Sequence, residues 1–213
     1  MKKLVSKILS GSVVWPAVLV IAIAIICVPT ARAVIFDLDV FRYDGRSYDG
    51  SGLEFTVSVT ETSEGVRFEF YNDSTTASTI DGLYFEAGVP AGVVTLDLGS
   101  GTFFELDENT TQLPGGNTLT PAFETAYSFD SGPPSENNGI EPGQWSAVIF
   151  NPDSGTVFDD VISQLYDGSF RVGVHVSGIS DGLSASAINT IPEPATLILL
   201  GIGSWLFLRR KGL

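Results

Sequence analysis

Alternation of apolar and polar side chains dominates the chain from residue 34 to residue 176. Val34-Ile35-Phe36-Asp37-Leu38-Asp39-Val40-Phe41 ends in strict alternation, Leu53-Glu54-Phe55-Thr56-Val57-Ser58-Val59 follows it, and Val66-Arg67-Phe68-Glu69-Phe70 repeats it. A period of two places apolar residues on one side of an extended chain and charges or hydroxyls on the other, as in a half-buried β-strand. Leu83-Tyr84-Phe85, Val93 to Leu98, Trp145 to Phe150 and Phe170 to Val176 add aromatic and β-branched runs that favour strands. Asp-Gly pairs occur at Asp44-Gly45, Asp49-Gly50, Asp81-Gly82, Asp167-Gly168 and Asp181-Gly182, and such pairs suit tight hairpin turns. Many short strands with frequent turns predict an all-β fold: a single antiparallel β-sandwich, jelly-roll or Ig-like.

One segment departs from this period. Asp159-Asp160-Val161-Ile162-Ser163-Gln164-Leu165 spaces Val161, Ile162 and Leu165 for a helix and puts two acids in its first turn, so a short helix is expected to cap one end of the sandwich. Ser131-Gly132-Pro133-Pro134 through Gly143 is rich in breakers and reads as a surface loop. No fixed-period repeat is visible. The expected organisation is a sandwich over residues 34–180, a Ser/Ala/Asn-rich linker over 181–190, and two functionally different chain ends.

At the N-terminus, Lys2, Lys3 and Lys7 precede an unbroken apolar run from Leu19 to Val28, and Ala31-Arg32-Ala33 fits a small-residue cleavage site. This is the layout of a secretory signal peptide over residues 1–33, and Pro29 would break its helix before the cleavage site. The competing reading is an uncleaved anchor, because apolar residues begin as early as Val13. At the C-terminus, Ile191-Pro192-Glu193-Pro194-Ala195-Thr196 leads into the uncharged run Leu197–Leu208 and then Arg209-Arg210-Lys211. The prolines fix φ and disfavour helix in the residues before them, so an extended, accessible element is expected ahead of a membrane helix with a basic stop-transfer cluster. Basic residues at both ends orient residues 34–190 to the outer side of the membrane.

The tail resembles the PEP-CTERM sorting signal of exported bacterial proteins. The matching features are Pro192-Glu193-Pro194 with Ala195-Thr196, the Leu197–Leu208 helix, and Arg209, Arg210 and Lys211. The resemblance implies recognition of Pro192, Glu193 and Pro194 by exosortase, a membrane-embedded cysteine peptidase/transpeptidase. It also implies delivery to the cell surface or exopolysaccharide of a Gram-negative bacterium, with the helix as a transient anchor before the tail is removed. Signal peptidase and the secretion machinery are the partners implied at the other end, acting at Ala31 and Ala33. Arg171 to Val176 with a final strand near Ala187-Ile188-Asn189, preceded by Gln144-Trp145, is similar to the last hairpin of many PEP-CTERM ectodomains.

Charge then narrows the body. Lys2, Lys3, Lys7 and Arg32 carry four positive charges, Arg209, Arg210 and Lys211 three more, and Glu193 one negative; with −14 for the whole chain, residues 34–190 hold a formal −20. That segment has no lysine and only Arg42, Arg46, Arg67 and Arg171 as cations. It lacks the phosphate electrostatics of nucleic-acid binding, and anionic headgroups are equally poor partners. The chain's only cysteine, Cys27, belongs to the leader, so the body is expected to have neither disulfide nor thiol nucleophile.

Candidate chemistry is sparse. His175 is the sole histidine, flanked by Val174 and Val176, and alternation puts it on the face opposite them. One histidine cannot build a zinc site. Calcium, which takes clustered oxygens on turns, is the cofactor weighed, with Asp37, Asp39 and Asp44 as one set and Glu105, Asp107 and Asn109 as another. Tyr43, Tyr48 and Trp145 are candidates for stacking on sugars. The expectation is a non-enzymatic structural or adhesive protein of the exopolysaccharide matrix; the alternatives are a polysaccharide-active enzyme with paired carboxylates and a calcium-dependent glycan-binding module.

Overall fold

The computed structural model describes residues 32–43, 52–87, 92–134, 138–152, 158–179 and 182–189. Ten strands form in chain order: β1 Ala33–Tyr43, β2 Phe55–Thr62, β3 Gly65–Asn72, β4 Thr79–Glu86, β5 Gly92–Leu98, β6 Phe104–Leu106, β7 Thr125–Ser131, β8 Trp145–Pro152, β9 Val172–Ile179 and β10 Leu183–Asn189. A helix, α1, spans Phe158–Asp167 between β8 and β9. The strands make one antiparallel sheet in the order β5-β8-β3-β2-β1-β10-β9-β4-β7-β6.

β1 is the strand on which the sheet turns. Its first half pairs with β2 from Ala33↔Thr60 to Asp37↔Thr56, and its second half pairs with β10 from Leu38↔Asn189 to Tyr43↔Ala185. A register shift between Val40 and Arg42 marks a bulge, which bends a strand and increases its twist. The two halves of the sheet thereby face each other across a shared core. Alternation decides which residues enter it: Phe55, Val57 and Val59 of β2, and Val66, Phe68 and Phe70 of β3, are buried, while the residues between them are not.

Phenylalanine fills the space between the halves. Phe85 of β4 meets Phe68 at 5.3 Å, Phe70 at 5.7 Å and Phe150 at 4.9 Å between ring centroids, all edge-on. Phe129 of β7 adds a fourth contact to Phe85 at 5.9 Å, and Phe170 reaches Phe68 at 6.0 Å. Edge-to-face pairs are the favoured aromatic geometry. The helix covers a flank of this cluster with Phe158, Val161 and Leu165, while the Tyr166 ring lies 5.1 Å from Phe36. Gly168, with φ of 74°, ends the helix in the left-handed region.

Several expectations need correction. The linker assigned to 181–190 contains β10, a strand with ladders on both sides; its small residues Ala185 and Ala187 are buried because the sheet packs closely there. Asp81-Gly82 is not a hairpin turn but lies within β4, and Asp167-Gly168 closes the helix. Gly182, φ 71°, does sit between the paired strands β9 and β10. β6 and β7 are strands that alternation did not reveal. The signal segment, the Pro-Glu-Pro element and the C-terminal helix lie outside the described residues.

Truncating the central ring tests this core. Phe85→Ala is expected to cost about 3–5 kcal/mol by lost burial and cavity formation. Chemical denaturation checks it, with Ile35→Ala, at an exposed position, expected to change stability by less than about 0.5 kcal/mol.

Candidate functional site

Residues singled out for chemistry disperse in the fold. Asp37 and Asp39 are exposed on one face of β1, opposite buried Phe36 and Leu38. Ala33 is the first residue of β1, so a cut after it removes only the terminal pairing with Thr60. Ala31, Asp44, Tyr48, Pro192, Glu193, Pro194, Arg209, Arg210 and Lys211 fall outside the described residues. Tyr43 is partly buried against the core. Trp145 lies beneath Arg67, whose guanidinium carbon is 5.2 Å from its ring centroid.

Of the second acidic set, Asp107 builds a turn. Its Oδ1 accepts from Asn109 N–H at 2.9 Å, and its Oδ2 accepts from Thr111 N–H at 2.8 Å, from the Thr111 hydroxyl, and from the Ser128 hydroxyl at 3.3 Å. These donors, the Thr111 hydroxyl foremost, hold its carboxyl below the ordinary range. Both oxygens are thus committed to the chain itself. Among the described residues no three His, Asp or Glu side chains converge to hold a metal.

The densest titratable cluster lies on the outer face of the β10-β9-β4-β7-β6 half. Register aligns Ser186, His175, Gly82, Asp130 and Glu105 in one cross-strand row. A register shift between Ile80 and Gly82 makes Asp81 an extra residue in β4. The bulge brings its side chain to His175, and His175 Nδ1 lies 2.7 Å from Asp81 Oδ1. This contact engages Nδ1 with the carboxylate and leaves Nε2 directed away from it. His175 therefore does lie opposite Val174 and Val176, which are buried.

Gly82 is required at the centre of this row. A Cβ there would sit 2.7 Å from the Tyr84 hydroxyl oxygen, so the tyrosine ring lies directly over it. Burial first, then the charges of Asp130, Asp81 and Asp107, keep the Tyr84 phenol well above its ordinary pKa. It remains a neutral phenol within the field of three carboxylates. Asp130 is likewise raised: burial contributes most, Asp107 and Asp81 add to it, and His175 opposes them.

Over this face runs the segment from Asp107 to Glu124. Leu113 and Phe123 pack on Tyr84, joined by partly buried Phe41, Leu119 and Ile188. Gly173 lets the segment approach, because a Cβ there would meet Leu113 Cδ2 at 2.9 Å. Arg171 fastens the far end. Its Nε donates to Glu86 Oε2 at 2.7 Å and its Nη2 to Glu86 Oε1 at 2.6 Å, while further donors reach the Pro121 and Ala122 carbonyls at 3.1 and 2.8 Å. Glu86 Oε1 also accepts from Glu124 N–H at 3.1 Å, and the guanidinium lies over Phe123. Glu86 and Arg171 are 85 residues apart, and no local pattern links them. The Asp81 bulge had a signal in the isolated glycine within a strand pattern.

Chemically, the face combines a hydrogen-bonded imidazole–carboxylate pair, a carboxyl that holds its proton unusually well and a buried phenol.

Two measurements follow. Removing one member of the Glu86–Arg171 pair, as Glu86→Gln or Arg171→Met, leaves a buried uncompensated charge and should cost about 3–5 kcal/mol, read by denaturation. For Asp130, the folded pKa exceeds the unfolded one, so its stabilising contribution is present at acid pH and lost as pH rises through the folded value. Asp130→Asn should therefore melt higher than the wild type at about pH 7, with the difference vanishing near pH 4, the ordinary carboxylate range. Asp107 acts in the opposite sense, and its contribution fades as pH falls.

The family model for the PEP-CTERM protein-sorting motif matches residues 190–211. Neither the comparison with curated proteins nor that with solved structures returned a match. The chain carries the sorting motif directly after its last described strand, and that motif implies exosortase-mediated processing of an exported, transiently membrane-anchored protein.

Proposed function

We propose that this is a non-enzymatic matrix protein, with the β-domain as its cargo and the tail as its address. Exosortase acts at Pro192-Glu193-Pro194, the C-terminal helix holds the chain until then, and the domain goes to the cell surface or exopolysaccharide of a Gram-negative bacterium. There its work is structural or adhesive. The observation that carries this reading is the motif at residues 190–211.

Its placement supports the proposal physically. The motif begins one residue after Asn189, which is buried and accepts a hydrogen bond from Val172 N–H at 2.8 Å. Pro192 is three residues beyond that anchor, at most about 10 Å along an extended chain. The enzyme must therefore meet its recognition element beside a folded domain. The formal −20 of residues 34–190, without lysine, suits a solvated extracellular surface and neutral glycan neighbours.

Fractionation tests the address. Expressed in an exosortase-bearing bacterium, the chain should leave the membrane fraction in a shortened form; in the same strain without exosortase it should stay full-length in the membrane. Pro192→Ala with Glu193→Ala and Pro194→Ala should reproduce the second pattern. Identical distribution with and without the enzyme would sink the sorting reading. Retention of the processed protein on a neutral polysaccharide without product release supports the adhesive role, whereas new reducing ends would replace it with the enzymatic alternative.

A further inference from the structure

The two ends of the sheet are defended differently. β6 is only three residues long, a common way to blunt an edge. β5 is seven residues long and pairs with β8 throughout, from Gly92↔Pro152 to Leu98↔Ser146. Among the described residues no strand or loop is hydrogen-bonded to its second edge, and the short β6, the other terminal strand, comes near it. Exposed edges are ordinarily protected by lysine, proline, inward charge or bulges. Val94-Thr95-Leu96-Asp97-Leu98 has no lysine, proline or bulge, and its one charge, Asp97, points outward and is paired with Arg67 of β3.

The core is also incompletely closed along this strand. Val94, Leu96 and Leu98 point inward by the strand period. Val94 and Leu96 are only partly buried against the core, and Leu98 is 37% exposed. Their ladder partners on β8, Phe150, Val148 and Ser146, are almost fully buried. The opposite terminal strand shows the same deficit at Leu106, 47% exposed, with Phe103 just before it at 46%. Leu98, Phe103 and Leu106 thus put three exposed apolar side chains within residues 98–106, next to an unpaired ladder, with Ile35 and Tyr166 exposed elsewhere.

We propose that β5 is a self-association edge, on which β5 of a second copy adds antiparallel about a two-fold axis through Leu96. Strand addition satisfies the free backbone groups, and a two-fold contact requires that the strand complement itself. It does so in this register. Leu96 meets Leu96 of the copy, Val94 meets Leu98, and Thr95 meets Asp97, so inward residues face inward residues and each carboxylate faces a hydroxyl rather than another acid. Charge selects a second copy at this place. Two chains of formal charge −14 repel over most of their surfaces, whereas this strand presents a single acid, Asp97, which shares the Arg67 guanidinium with Glu69. A basic foreign partner would instead be drawn to the acidic rows of the other faces. The inference rests on the strand alone and is independent of the sorting signal.

The test uses the full chain in mild detergent, with mass and dissociation constant measured by sedimentation. A dimer is expected. Thr95→Asp places a carboxylate opposite Asp97 twice per dimer and should raise the dissociation constant at least about tenfold. Thr95→Lys, which meets Asp97 instead, should bind at least as tightly as the wild type. Asn117→Asp, an exposed change of equal charge elsewhere, should leave the constant unchanged. Thr95 is exposed, so melting temperatures of its variants should match the wild type. A chain monomeric at every concentration overturns the proposal, as does a dimer indifferent to Thr95→Asp, which would mark association through the apolar ends.

Discussion

Exclusion of water from the rings around Phe85 is the constraint on which the rest of the fold depends. Residues 34–190 have no cysteine, so no covalent link offsets the entropy of ordering the chain. Rings from β3, β4, β7 and β8 converge from both halves of one sheet, and their edge-on contacts fix how the halves sit against each other. The bulge in β1 and the covering helix are best understood as ways of closing a sheet around that cluster. Where closure stops, at β5 and β6, apolar side chains emerge at the surface.

Charged groups near this core are admitted under strict terms. The Arg171 guanidinium is matched by both Glu86 oxygens, two backbone carbonyls and an aromatic face. Asn72 similarly donates to the Ser78 and Ile140 carbonyls at 3.1 and 2.9 Å, tying a loop between strands to the sheet. On the outer face the terms are looser. Asp81, Asp107 and Asp130 crowd around one imidazole and one phenol, and burial first, then this crowding, raise the Asp130 carboxyl above its ordinary value. A surface this acidic concentrates repulsion wherever carboxylates share a face, and the segment from Asp107 to Glu124 covers part of that face with apolar side chains.

Alternation made β1, β2 and β3 legible because each carries apolar residues at every second position beside polar ones. The helix was legible from the spacing of Val161 and Leu165, although its first buried residue, Phe158, lies before the segment that the spacing marked. β10 was legible only at its end, where the resemblance placed a strand near Ala187-Ile188-Asn189, because Ser184, Ala185, Ser186 and Ala187 look like a linker when hydrophobicity alone is weighed; two flanking ladders, not side-chain size, hold that strand. β7 was obscured because Thr125 and Ser128 are buried without being apolar. The outer-face cluster depends on registers among β4, β7 and β9, and these are properties of pairing that no local stretch of sequence encodes. The tail is the reverse case, since three adjacent local features suffice to identify it.

β10 gives the domain a mechanical character. It is the last of the described strands yet lies between β1 and β9, so the described domain ends in the middle of the sheet. Tension applied through the C-terminus runs along a strand held on both sides. Its two hydrogen-bond ladders are loaded in shear and must yield together, whereas a strand at an edge would peel away one bond at a time. Any load taken through the tail while it anchors the chain thus meets the sheet where it resists best.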